Sequence, residues 1–180
     1  WAAREFPGPL FIGGASAGGQ LAVHAALAQA DAAQRGSRGA DALLLLYPTL
    51  HETQRPDPRI EALVSELPEP RRFRPERIRE MYRDYLGPGT GPERSALIAG
   101  ELPAERLRQL PPTSVVSAEA DELRASAEQF VEQLIAAGVP VSAAVEPGTV
   151  HGYLNRPTAS PEAERHARQT IARFLADLPR

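Results

Sequence analysis

The pentapeptide Gly14-Ala15-Ser16-Ala17-Gly18 holds a serine between two glycines, with an apolar run before it and an Ala-rich run after it. That is the setting a serine nucleophile needs. A tight strand-to-helix turn lifts its Oγ clear of a sheet, and the helix N-terminus brings the Ala17 N–H to bear on a developing oxyanion. Crowding in such a turn calls for glycine two residues before and two after the serine, which accounts for Gly14 and Gly18. No Lys-Ser/Thr pair follows, and the glycines lack G-x-G-x-x-G spacing, so a phosphate-binding loop is the weaker reading.

A serine hydroxyl is a poor nucleophile near neutral pH and requires a base. The chain has four histidines. His24 sits in the Ala-rich run and reads as a packed or surface helix residue. His166 lies among Glu164, Arg165 and Arg168, on what reads as a solvated helix face. His51 follows Tyr47-Pro48-Thr49-Leu50 at the C-terminal edge of a strand. That edge faces ligands in open α/β sheets, so a substrate contact is open to it, though packing is the favoured reading. His151 sits in Pro147-Gly148-Thr149-Val150-His151-Gly152-Tyr153, where two glycines free a loop to swing the ring over the sheet. It is the best base. The base needs an orienting acid. Glu119 and Asp121 both follow a strand ending at Ala118. Asp121 is preferred, because it lies further into the loop and its shorter side chain holds geometry better. Glu122 is the third option, expected instead to open a helix and face water.

The elements that must position these groups follow from periodicity. Residues 9–13 and 42–47 read as short buried strands, the second stopped by Pro48, and 17–34 reads as a helix. Residues 113–118 and 139–145 read as strands and 147–152 as a loop. A helix over about 124–137 turns Ala127, Phe130, Val131 and Leu134 to one face. A last helix over about 160–177 is expected to turn Ala163, Ala167, Ile171 and Phe174 or Leu175 inward. Alternating strands and helices predict a parallel sheet with helices on both faces, α/β in class. Between about 50 and 100 the composition shifts to Pro and Arg, which predicts a cap-like insertion within one domain spanning 1–180. Its one clear helix, Pro75 to Tyr85, places Ile78, Met81, Tyr82 and Tyr85 at i, i+3, i+4 and i+7. Ile60, Leu63, Met81, Tyr82 and Tyr85 are candidates to line a pocket or, equally, to form the insertion's own core.

Composition narrows the chemistry further. The 180 residues are 42% hydrophobic and 24% charged with a net charge of −3, an ordinary balance for one globular domain. Nothing there supplies a general basic field for nucleic acid. Cysteine is absent and every basic residue is Arg, which excludes disulfides, thiolate metal sites, a Cys nucleophile and a Schiff-base Lys. No apolar run approaches the ~20 residues of a membrane helix. The absence of Cys and of an apolar anchor favours the cytoplasm. The chain opens at Trp1 and its single Met is Met81, so the expectation is a processed chain or a piece of a longer one.

Four segments together resemble the hormonesensitive-lipase-like esterases of the α/β-hydrolase fold. Gly13-Gly14-Ala15-Ser16-Ala17-Gly18-Gly19-Gln20-Leu21-Ala22 is similar to that family's G-D-S-A-G-G-N-L-A elbow. Leu46-Tyr47-Pro48 resembles its strand ending in Y-P, and Ala118-Glu119-Ala120-Asp121-Glu122-Leu123-Arg124 its A-E-x-D-x-L-R acid motif. Ala136-Ala137-Gly138-Val139-Pro140-Val141, with Pro147-Gly148 and His151-Gly152-Tyr153, resembles A-G-V-P-V, P-G and H-G-F. The order Ser16, Asp121, His151 is the nucleophile-acid-base order of that fold. The resemblance implies a serine carboxylester hydrolase acting on short-chain acyl esters through an acyl-enzyme. Ser16, His151 and Asp121 would be its triad and Ala17 an oxyanion donor. Gly14, Gly18, Tyr47, Met81, Tyr82 and Tyr153 are the expected substrate-binding residues. No cofactor and no metal are implied. The implied partner is a small ester, with no nucleic acid and no membrane; a homo-oligomer, or dependence on a missing N-terminal half, stays open. The alternatives are a serine peptidase or amidase of the same fold, or a non-catalytic binding member.

This sequence departs from the family's pattern in four places. Ala15 stands for the usual Asp, Gln20 for the usual Asn, and Ala125-Ser126 for an acidic pair. The family's H-G-G-G oxyanion segment lies well upstream of the elbow, whereas only about 13 residues precede it here. The expectation is the second half of a hydrolase, weakly active or inactive alone, with its first strand at an open sheet edge.

Overall fold

A computed structural model describes residues 2–68 and 72–179. After a short helix α1 (Ala2–Glu5), β1 (Phe11–Ala15) leads through the serine turn into α2 (Ala17–Gln34), and β2 (Ala42–Leu46) follows. Four helices come next: α3 (Pro58–Ser65), α4 (Pro75–Leu86), α5 (Pro92–Ser95) and α6 (Ala104–Leu107). The chain then returns to β3 (Thr113–Ala120), α7 (Arg124–Ala136), β4 (Val141–Val150) and α8 (Pro161–Asp177). The strands are all parallel and stand side by side in chain order, with β1 and β4 at the two edges. Among the described residues no helix is long and apolar enough to cross a membrane.

The central strands β2 and β3 are buried on both faces, while the edge strands β1 and β4 are partly exposed. Leu43, Leu45 and Val115 point to one side, where they meet Val23, Ala26 and Leu27 of α2 and Ala127, Phe130 and Leu134 of α7. Leu46 and Val116 alternate to the other side, against Tyr153, Leu154 and Phe174 of the last segment. A strand buried on both faces reads as an unbroken apolar run, which is why Ala42-Leu43-Leu44-Leu45-Leu46 was legible as central.

Three expectations change. Among its described residues, the Pro-rich stretch between β2 and β3 holds four α-helices and a 3-10 turn (Ala99–Glu101) where one helix was expected. Pro58, Pro75 and Pro92 each stand in a helix's first turn, and Asp57 caps α3 by accepting from the Arg59 N–H. Proline lacks an N–H and its φ is preset for that position, so residues that read as loop signals start helices instead. The segment 147–150, expected as loop, continues β4. Pairing runs to Ala118↔Glu146, skips, and resumes at Ala120↔Val150, so extra residues bulge out on β4. The inward face of α8 is also different. Ile171 and Leu175 are exposed, while His166, Ala167 and Thr170 are buried. His166 lies inside because the buried Glu146 of β4 accepts its Nδ1–H at 2.8 Å. A buried carboxylate needs such a partner, and hydrophobic periodicity does not reveal it.

Candidate active site

Each strand ends one residue before a residue of interest. Ser16 follows β1, Tyr47 follows β2, Asp121 follows β3 and His151 follows β4. Parallel pairing brings those four ends to one edge of the sheet, with Ala15 beside Leu46 and Ala120 beside Val150.

Ser16 has φ 55°, and Tyr47 has φ 33°; they are the two described non-glycine residues with positive φ. L-residues reach that region at a cost, so the surrounding contacts must hold them there. The Ser16 N–H donates to the Leu46 carbonyl at 3.0 Å, and the Ser16 carbonyl accepts from Gly19 at 2.9 Å and Thr49 at 3.1 Å. The Tyr47 N–H donates to the Val116 carbonyl at 2.7 Å. Crowding at the turn falls differently from the motif-based expectation. A Cβ on Gly14 would run into the Gly18 carbonyl, and one on Gly19 would lie 2.5 Å from Pro48 Cβ, but a Cβ on Gly18 would meet open space. Gly14 and Gly19 are thus the sterically required glycines.

His151 Nε2 lies 2.9 Å from Ser16 Oγ, and its Nδ1 lies 2.7 Å from Asp121 Oδ2. Asp121 is buried, and its Oδ1 accepts the Leu123 N–H at 3.0 Å. With Nδ1 carrying the proton toward Asp121, Nε2 presents its lone pair to the serine. Two aromatic rings pack on the imidazole. Tyr47 has its centroid at 4.8 Å and Phe73 at 4.5 Å, both tilted by about 60°. Ala17 opens α2, so its N–H belongs to the first turn, where donors have no intrahelical partner.

Beside Ala17 lies an apolar cavity of about 120 Å³ lined by Gln20, Leu21, Thr49, Met81, Tyr82 and Tyr85. Met81, Tyr82 and Tyr85 thus share a wall next to the serine turn. Ile60 is buried elsewhere in the insertion, and Leu63 is exposed. Gln20 ties the insertion to α2: its amide donates to the Leu97 carbonyl and its Oε1 accepts from Ala99 N–H at 3.0 Å.

The remaining expected contacts lie off the cavity. Tyr47 is 3% exposed and supports the imidazole. Tyr153 packs edge-on against Tyr47, with its hydroxyl 2.6 Å from Thr170 Oγ1. Burial raises both phenols above their ordinary range, Tyr153 to about 12, so both are neutral packing groups. His51 is buried against Gly100, with Nδ1 2.9 Å from Ser126 Oγ, and makes no contact with Ser16. His24 bonds to Gln20 and Leu97, and burial lowers its basicity. Glu119, the alternative acid, instead accepts the Gly148 N–H at 2.8 Å, fastening the bulge that leads to His151. Glu122 does not face water: it holds Arg72 and Phe73. Among the described residues no group of three or more His, Asp or Glu is gathered to hold a metal.

Sequence reasoning missed Phe73. It sits in Arg71-Arg72-Phe73-Arg74, whose charge reads as a solvated loop, and a lone aromatic there was the available signal.

Solved structures share this architecture. A bacterial heroin esterase is 28% identical with a TM-score of 0.70, over 99% of this chain and 56% of its own. The esterase LipW from Mycobacterium marinum is 26% identical with a TM-score of 0.69, over 91% and 48%. A carboxyl esterase from the fungus Tuber melanosporum, at 22% identity and a TM-score of 0.67, matches 94% and 54%. The chain therefore spans about half the length of these structures. No match to a curated protein was found. A family model described as the alpha/beta hydrolase fold matches residues 1–155, and the chain belongs to that family.

Proposed function

We propose that the chain carries the reacting half of a serine carboxylester hydrolase. The observation that supports this most directly is the hydrogen-bonded series Ser16 Oγ, His151 Nε2, His151 Nδ1, Asp121 Oδ2, at 2.9 and 2.7 Å. Likeness to the esterase LipW and the bacterial heroin esterase, at 26 and 28% identity, points the same way. In this reading Ser16 Oγ attacks the ester carbonyl while His151 Nε2 takes its proton. The carbonyl oxygen becomes an oxyanion facing the Ala17 N–H. Collapse of the tetrahedral adduct breaks the bond to the alcohol oxygen, which leaves with the proton from Nε2 and forms an acyl-Ser16 ester. Water, deprotonated by the same nitrogen, then releases the acid. Asp121 fixes the imidazole tautomer and stabilises its cation. The cavity beside Ala17 holds the acyl chain. Its small volume, about 120 Å³, favours short acyl groups.

The test is labelling of the 180-residue chain with a fluorophosphonate, alongside p-nitrophenyl acetate turnover. Stoichiometric labelling that disappears in Ser16→Ala is the expected result. A folded chain that neither labels nor turns over, even when joined to the upstream half of a related esterase, would overturn the reading in favour of a non-catalytic member.

A further inference from the structure

Glu122 immediately follows Asp121, and the sequence offers no reason for it to be anything but solvated. Its side chain is only 13% exposed. One carboxylate oxygen accepts from Arg72 Nε at 2.7 Å and the other from the Phe73 backbone N–H at 2.9 Å. Both oxygens are thus committed to a segment some fifty positions away, at the entrance to α4. The Phe73 ring so held lies 4.5 Å from the His151 ring, and the Arg77 guanidinium lies 5.2 Å from the Phe73 centroid.

The two rings that pack on His151 are secured differently. Tyr47 is buried at the end of β2 and follows from the sheet itself. Phe73 lies outside the helices and strands; its ring rests on the buried cluster of Ile78, Tyr82, Ile98 and Leu123, and its backbone N–H is held by Glu122. Asp121 fixes the imidazole through Nδ1, a single bond about which the ring can still rock. Packing by Tyr47 and Phe73 limits that rocking, and so limits where Nε2 points. One turn, Asp121-Glu122, therefore supplies both the acceptor for the imidazole and the anchor for its cover.

We propose that Glu122 is a positioning residue that acts through Phe73, holding His151 so that Nε2–H is aimed at the departing alcohol oxygen. This rests on the serine-ester reading above. Its consequence is selective for the leaving group. An alkoxide such as ethoxide cannot depart without the proton from Nε2, whereas p-nitrophenolate departs with little help. Loss of aim therefore costs the alkyl ester far more than the aryl ester of the same acid.

The experiment compares kcat/KM for ethyl acetate and p-nitrophenyl acetate in the wild type, Glu122→Ala, Phe73→Ala and the double variant. Each single variant is expected to lose about tenfold on the ethyl ester and about twofold on the aryl ester. The double variant should be no worse than Phe73→Ala, the mark of one residue acting through another. Glu122→Gln keeps an acceptor for the Phe73 N–H and should hold the ratio of the two esters within about twofold of wild type; Phe73→Ala carries the test should Glu122→Ala fail to fold. Equal losses on both esters, or additive losses in the double variant, would overturn the proposal while leaving the serine-ester reading intact. Absence of fluorophosphonate labelling in the folded wild type, even when joined to the upstream half of a related esterase, would overturn both.

Discussion

His51 makes the chain's stability fall with acid in a defined window. Its imidazole is 3% exposed, packed against Gly100 and bonded through Nδ1 to Ser126 Oγ. Burial pushes its pKa down from 6.5 to about 4; Arg55 pushes in the same direction, and the Gln133 side chain opposes. The unfolded chain takes up a proton near pH 6.5, while the folded chain refuses it until about pH 4. Protons thus favour the unfolded state as pH drops between those values, and below about 4 the dependence from this residue ends. The loss amounts to about 3 kcal/mol across the window, a large share of a domain's usual stability. Urea denaturation followed by circular dichroism at pH 7, 5.5 and 4 would measure it, with His51→Asn as the non-titrating reference. Asn retains an amide for Ser126, so the variant starts less stable but should lose about 3 kcal/mol less than wild type on acidification. Carboxylate titrations common to both proteins cancel in that difference. Parallel losses in the two proteins would refute the reasoning, as would an imidazole that titrates near 6.5 by NMR in the folded chain.

Other perturbations separate steric from chemical roles. Gly18→Ala should be nearly neutral in a thermal melt, while Gly19→Ala, driven into Pro48, should cost about 1–3 kcal/mol; the reverse order would show that the turn is packed otherwise. Met81→Ala enlarges the cavity beside Ala17, so the preferred p-nitrophenyl ester should lengthen by about one to two carbons, read from kcat/KM across acetate to octanoate. Asp121→Asn keeps the shape but removes the charge that fixes the imidazole tautomer, and kcat should fall by about three to four orders of magnitude with the fold unchanged.

What was legible in the sequence was local. An apolar run stopped by Pro48, a serine between glycines and a helix begun at Pro75 are set by neighbours a few positions apart, and the periods of strand and helix expose them. Asp121 and His151 were legible for a related reason: the sequence places each in a loop beyond a strand, and in a parallel sheet every strand's C-terminal end reaches the same edge. The illegible parts are pairings across the chain. Glu122 with Arg72 and Phe73, His166 with Glu146, and Gly19 with Pro48 each join segments that no sequence period relates.

The two classes meet at the sheet edge. Parallel pairing delivers Ser16, Tyr47, Asp121 and His151 to one edge, but it fixes only their backbones. Side-chain direction comes from the long-range pairs: Glu119 on Gly148 holds the bulge before His151, and Glu122 on Phe73 holds the ring beside it. Both carboxylates flank Asp121 in sequence, so the end of β3 and the turn after it orient the imidazole directly, through the bulge before it and through the ring that covers it. A chain with the same four strand ends but an apolar residue at 122 would keep the Ser16–His151–Asp121 distances while losing the constraint on ring tilt. In such a chain the loss would show first in alkyl ester cleavage, where the proton from Nε2 is indispensable.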